Sequence, residues 1–221
     1  MRRRKAYWLP ILAVLLIAPL ILGCVGREDI ATILEQADTL AKDDPKKAIA
    51  LVTSYNYNNN NDMRAHAYYT HALSQQRYNN LPMAALMLNG AAKALESYHN
   101  PSLEGSVYST LGDIYFKNIL YSNSYDYYSH AAECFSKAGL ENEQYLALRN
   151  KGWSAFKLHR YDEAKHYLNL VYEYSTKQDD RELSVDILQK LCDIYLYTKD
   201  EAMLNSCVEF LDDYTDSINN L

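Results

Sequence analysis

The chain has few of the residues that interrupt helices. Its 221 residues include seven glycines and five prolines, too few for the turns of an all-β domain and too few for a low-complexity disordered one. It also lacks the groupings on which chemistry is built. The six histidines, at 66, 71, 99, 130, 159 and 166, contain no i,i+4 pair of the kind that grips a metal from one helix face. No glycine-rich phosphate loop, nucleophile elbow or HExxH string occurs. Beyond Cys24, the cysteines at 134, 192 and 207 are too widely spaced for a disulfide framework or a metal site, and Cys192 reads as a packing residue. The acid pairs Asp43-Asp44, Asp179-Asp180 and Asp212-Asp213 fall in turns or on solvated faces. Positive charge is short as well: 22 Lys and Arg stand against 28 Asp and Glu, which argues against the basic patches that nucleic acid requires. The sequence therefore points to no enzyme, no cofactor, no metal and no small-molecule substrate.

What is abundant is apolar surface, at 48% of residues, and tyrosine, at 21 residues. Most of the tyrosines are expected in helix–helix seams with their hydroxyls reaching water or a carbonyl. The one long apolar run is N-terminal. Arg2, Arg3, Arg4 and Lys5 precede an apolar stretch from Trp8 to Leu22, shorter than the roughly 20 residues a spanning helix needs and suited to a secretory signal. Ile21-Leu22-Gly23-Cys24 at its end resembles the lipobox of bacterial lipoproteins, although that pattern prefers Leu at 21 and a small residue at 22. The resemblance implies a signal peptide over 1–23, cleavage before Cys24 and lipid on the Cys24 thiol and amine, as stable anchoring requires. Loss of residues 1–23, with four positive charges, moves the net charge from −6 to −10. Residues 24–29 read as a short tether. Arg27, Glu28 and Asp29 within it resemble the surface-export signal of Bacteroidetes lipoproteins.

From Ile30 the apolar pattern is helical, and it repeats. Leu111-Gly112-Asp113-Ile114-Tyr115 returns as Leu191-Cys192-Asp193-Ile194-Tyr195, and small residues mark the same slot at Ala72, Gly112, Gly152 and Cys192, forty residues apart. Ala84, Ser124 and Ala164 mark a second helix; Leu88, Tyr128 and Leu168, then Ala91, Ala131 and Val171, follow on it. Leu95 and Phe135 extend it by another turn. Asp43-Asp44-Pro45, Pro82, Asn100-Pro101 and Gly139 punctuate the pattern, and Tyr57 to Asp62 forms a polar loop. A period in this range signals stacked helix pairs, none of which buries its own face alone. In the last helix Leu204, Cys207, Leu211, Tyr214 and Ile218 hold one stripe, with Asn205, Glu209, Asp212, Asp213 and Asp216 opposite, as a solubilising cap would.

These residues resemble tetratricopeptide (TPR) repeats. Leu111, Gly112 and Tyr115 fit the family pattern, as do Gly152, Ala164 and Leu168 with Tyr161-Asp162-Glu163-Ala164. Ser124, Lys151 and Ala155 depart from it, and a period of forty in place of about 34 implies longer helices. Gln36-Ala37-Asp38-Thr39-Leu40, with Pro45 and Ala48, resembles the first repeat of Bacteroidetes TPR proteins. The expected fold is an all-α, TPR-like α-solenoid of about five antiparallel helix pairs over residues 30–221.

In that family the first helix of each pair lines a concave groove. The register places there Tyr69 and Thr70; Ser109, Asp113 and Phe116; Arg149, Asn150, Trp153 and Phe156; and Gln189, Lys190 and Asp193. Chaperone-binding relatives clamp a carboxylate with several Lys and Asn at these positions. Here the cations Arg149 and Lys190 are opposed by Asp113 and Asp193, which argues against such a clamp. Trp153, Phe116 and Phe156 suggest an aromatic floor for a protein or peptide segment. The resemblance implies a lipid-anchored interaction scaffold of the bacterial cell envelope, periplasmic or surface-exposed, at the outer membrane in preference to the inner. The alternative is a regulatory component related to TPR-containing transcriptional regulators but lacking their DNA-binding part.

Overall fold

The computed structural model describes residues 27–55, 57 and 60–219, with side chains between 30 and 212. Ten helices occur among the described residues, and no strand does. The helices form five consecutive pairs: α1 (Arg27–Asp43) with α2 (Pro45–Thr53), α3 (Asn61–Arg77) with α4 (Leu81–Leu95), α5 (Pro101–Lys117) with α6 (Tyr121–Ala138), α7 (Glu141–Lys157) with α8 (Tyr161–Lys177), and α9 (Arg181–Thr198) with α10 (Glu201–Asn219). The odd-numbered A helices and even-numbered B helices mostly run 15–19 residues; only α2, at nine, is shorter. The forty-residue period thus appears as lengthened helices. α1 begins at Arg27, so the second half of the expected tether is helical backbone. The signal segment, Cys24 and the Asn58-Asn59 part of the polar loop lie outside the described residues.

Local chemistry sets the helix ends. Asp44 accepts a hydrogen bond from the Lys47 amide and Pro45 follows in the first turn, where its missing N–H is harmless. Asn60 and Asn100 cap α3 and α5 in the same way, on the amides of Met63 and Leu103. The last four A-to-B turns are copies of one another. Asn79, Ile119, His159 and Lys199 all adopt left-handed backbone with φ between 55° and 64°. In each turn the next amide reaches back to the carbonyl five residues earlier, from Asn80 to Gln75, Leu120 to Tyr115, Arg160 to Ala155 and Asp200 to Tyr195, the bond of a Schellman closure. None of these four positions is glycine. At β-branched Ile119 the left-handed conformation costs roughly 1–2 kcal/mol, offset by the backbone hydrogen bonds that close the turn, from Ile119 to Phe116 and from Leu120 to Tyr115.

The marked register is the core. Ala72, Ala84, Leu88, Ala91, Ala131, Ala164, Leu168 and Val171 are fully buried, and Leu95, Tyr128 and Phe135 nearly so. A Cβ built on Gly112 would lie 2.7 Å from the Tyr128 ring, and one on Gly105 would lie 2.7 Å from Phe135. On Gly152 the contact is with Leu168 at 3.1 Å. Where the B-helix partner is Leu88, the A helix carries Ala72; where it is Tyr128, only glycine fits. Cys192, in the fourth such slot, is half-buried beside Cys207. Burial pushes the Cys134 and Cys207 thiols up to about 11, so both stay protonated packing groups.

Paired hydroxyls join the units, and tyrosines pack the two helices within a unit. Ser124 and Ser154 pair at 3.0 Å between α6 and α7, and Ser175 and Ser184 at 2.7 Å between α8 and α9, each satisfying its partner in a buried seam. Tyr145 stacks on Tyr174 at 3.9 Å, and Tyr127 lies against both Tyr108 and Tyr115. The last helix departs from the expected cap. Cys207 faces α9, but Met203, Val208 and Phe210 are exposed by 45%, 43% and 43%, so its outer face is not purely polar. Tyr214 and Ile218 lie outside the described side chains.

The crossing predicts a specific non-additivity. Gly112→Ala is expected to lose about 1–3 kcal/mol through overpacking, less a gain of up to ~1 kcal/mol in helix propensity. Adding Tyr128→Leu, which recreates the Ala72–Leu88 pairing, restores part of that loss. Chemical denaturation of the two single variants and the double tests it; additive effects would contradict the crossing as described.

Candidate functional site

The A helices are linked to one another by polar contacts, nearly one per seam. Asp38 on α1 receives His66 at 2.7 Å and the Thr70 hydroxyl, both from α3. Tyr69, also on α3, sets its hydroxyl against Thr110 and Ser106 of α5, and burial raises its pKa. Asp113 of α5 takes the Tyr128 hydroxyl from its own unit and feels the charge of Arg149 on α7. Arg149 reaches Asp186 of α9 at 3.4 Å and holds the Asn150 side chain at 3.1 Å. Lys190 meets the other oxygen of Asp186 at 2.6 Å.

The surface of this face differs from the register's expectation in two places. Thr70 is fully buried, because its hydroxyl bonds the Asp38 carboxylate and the His66 carbonyl. Phe156 is 7% exposed and sits among Trp153, Tyr161 and Tyr197. Both belong to the wall rather than to the surface. Tyr69, Ser109, Asp113, Phe116, Arg149, Asn150, Trp153 and Lys190 are half-buried, and Gln189 and Asp193 are exposed. Asp113 is not a free charge: burial raises its pKa, partly offset by the Tyr128 hydroxyl and by Lys117 and Arg149. Phe116 leans on Tyr121 at 5.1 Å.

Trp153 stays half-buried at this face and is flanked by cations. Its ring stacks on Phe156 at 4.7 Å, while Lys157 Nζ lies 4.7 Å and Lys190 Nζ 5.3 Å from its centroid, within cation–π range. Lys157 was missed by the groove register because it stands five residues past Gly152. The forty-residue recurrence of a cation at Arg77, Lys117 and Lys157 is the signal by which the register finds it. No grouping of three His, Cys, Asp or Glu among the described residues could hold a metal, and no helix there is long and apolar enough to cross a membrane.

Solved structures with the same arrangement exist. BtubC (BKLC) of P. vanneervenii superposes with a TM-score of 0.77 at 17% identity, covering 87% of this chain and 83% of that one. The nearly identical TPR-like repeats of a Podosopora anserina protein described as a kinesin light chain give 0.70 at 10% identity, over 87% and 97%. PilF of Pseudomonas aeruginosa gives 0.64 at 13%, over 84% and 78%. The fold is a TPR-like α-solenoid. At these identities the likeness is one of fold alone. No family model and no curated protein matches the sequence.

The α1–α3 contact of this solenoid carries a pH signature. The Asp38 carboxylate raises the His66 pKa above its usual 6.5, against the opposing effect of burial, with Asp62 and Glu35 adding to the rise. The ion pair therefore stabilises the fold fully below about pH 6.5 and is lost as pH rises through the higher folded value. His71, lowered by burial, works in the opposite sense on acidification. Replacing His66 by Gln should reduce the fall in melting temperature between pH 6 and pH 8. The effect should be worth under about 1 kcal/mol, since both groups are about a third exposed; an unchanged pH dependence would contradict the assignment.

Proposed function

We propose that the chain is a protein-interaction scaffold whose A-helix face holds a segment of a partner protein, and that it is held at the bacterial cell envelope by lipid on Cys24. The observation that carries the first part is Trp153, a half-buried indole between two lysines on a face where Asp38, Asp113 and Asp186 are internally paired. Its neighbours Gln189 and Asp193 on α9 are exposed and supply the rim. A large aromatic anchor ringed by polar groups is the usual centre of a binding surface. No catalytic or cofactor role is part of this reading. The second part rests on the basic stretch, the short apolar run and the Cys24 that ends it. Anchorage at the outer membrane is preferred to the inner, and the nearness of Arg27, where α1 starts, to Cys24 keeps the solenoid close to the lipid.

Both parts are open to direct tests. A photocrosslinking amino acid at 189 or 193 should capture a discrete envelope protein, whereas the same residue at Glu133 or Asn169, exposed on B helices, should not. Trp153→Ala should remove most of that product while the chain stays folded. Equal capture from both faces would overturn the groove. Labelling with radioactive palmitate should mark the wild type and leave Cys24→Ser unmarked; label on both would exclude Cys24 as the acceptor.

A further inference from the structure

We propose that the pocket between α2 and the outer side of α3 is a binding site for a small planar aromatic carboxylate. It opens because α2 is short. That helix has nine residues, against at least 15 in every other B helix, so it ends roughly 9 Å sooner than the next shortest. The stretch of α3 left uncovered carries Arg64, Ala67, Tyr68 and His71, one stripe at helical spacing. The groove positions His66, Tyr69, Thr70 and Leu73 hold the opposite stripe, so this pocket is separate from the A-helix face. In later units the corresponding stripe is packed shut. At the register position of His71, Leu111 and Leu191 are buried together with Leu88 and Leu168 of the preceding B helix.

The pocket lies between Val52 of α2, Tyr55 and Tyr57 of the following loop, and Arg64, Tyr68 and His71 of α3, with a volume of about 340 Å³. That is the size of a small-molecule site. Three tyrosine rings give it flat walls of the kind on which a planar ring stacks. Tyr68 is seated by Gly90, where a Cβ would lie 3.3 Å from the ring. A glycine inside a helix is disfavoured relative to alanine; here it lets the ring sit close against α4.

Two polar groups set the charge of the ligand. Arg64 is anchored through one nitrogen to the Asn61 side chain, and the ion pairs among the described residues involve other cations. Its remaining N–H donors offer the fork that a carboxylate matches. Lys93 and Glu96 line the adjoining cleft, which Arg64 and Tyr68 share. Tyr57 is only 9% exposed, yet its hydroxyl has no hydrogen-bond partner. A buried donor left unmade is costly, and a carboxylate oxygen taken into the pocket supplies the missing acceptor. Burial raises the Tyr57 pKa and lowers that of His71, so at neutral pH the first is a donor and the second uncharged. One guanidinium and one hydroxyl suit a single carboxylate; a phosphate carries more charge than this pair balances.

The test is isothermal titration calorimetry of the full chain in detergent with naphthoate, its uncharged amide naphthamide, and acetate. Naphthoate should bind saturably, about tenfold more tightly than naphthamide, and acetate should not bind measurably. Arg64→Gln should abolish that preference by weakening naphthoate about tenfold, as loss of a charge-assisted hydrogen bond does. Tyr57→Phe should weaken naphthoate by about threefold or more while the denaturation midpoint holds or rises, because the free protein loses no bond. Trp153→Ala should leave naphthoate binding unchanged, which separates this site from the groove. The proposal is overturned if naphthoate shows no saturable binding, if Arg64→Gln binds it as tightly as the wild type, or if Trp153→Ala removes the binding. A Tyr57→Phe variant that is destabilised yet binds naphthoate as well as the wild type would overturn it too.

Discussion

At Gly112 the Tyr128 ring of the neighbouring helix lies so close that an added methyl group would meet it at 2.7 Å. That approach, repeated with Ala72 over Leu88 and Gly152 over Leu168, fixes how each A helix crosses its B helix. The rest follows from it. Helices held this closely present the same edge to the next unit, so one left-handed turn, at 79, 119, 159 and 199, serves the last four pairs. Ile119 shows how firmly the geometry is set, since a β-branched side chain is held where it would not settle by its own preference.

The seams are specific rather than merely greasy. The fully satisfied Ser124–Ser154 and Ser175–Ser184 pairs would leave hydroxyls unpaired if a helix slipped along its neighbour, so they fix alignment as well as adding stability. On the A face the polar contacts from Asp38 to Asp186 serve the same end, and they leave that face with few idle groups. What stays partly open is therefore informative: the Trp153 ring near the fourth unit, with Lys157 and Lys190 beside it.

The architecture was legible in the sequence because it rests on periodic small and large apolar residues. Ala84, Leu88, Ala91 and their forty-residue counterparts are all buried as their spacing implied. The A-to-B turns were not legible, because Asn79, Ile119, His159 and Lys199 share a backbone conformation and no side-chain chemistry. The groove was legible as a face but not atom by atom. Register puts Thr70 and Phe156 on the A face; whether they reach its surface depends on Asp38 turning one inward and on Tyr161 and Tyr197 closing over the other. Nor could single-position reasoning see that Asp113 is occupied by Tyr128, fifteen residues away.

The central claim is that the forty-residue unit is the structural quantum of the chain. Deleting residues 101–140 joins Asn100, which already caps a helix, to Glu141 at the start of α7, and brings α4 against α7 in register. Circular dichroism and thermal melting of this deletion should show a cooperative, helical protein with one unit fewer. A deletion of residues 101–134, matching the more usual repeat of about 34 residues, should melt without cooperativity. If both deletions fold equally well, or the forty-residue deletion alone collapses, the crossing register is not what holds the array together.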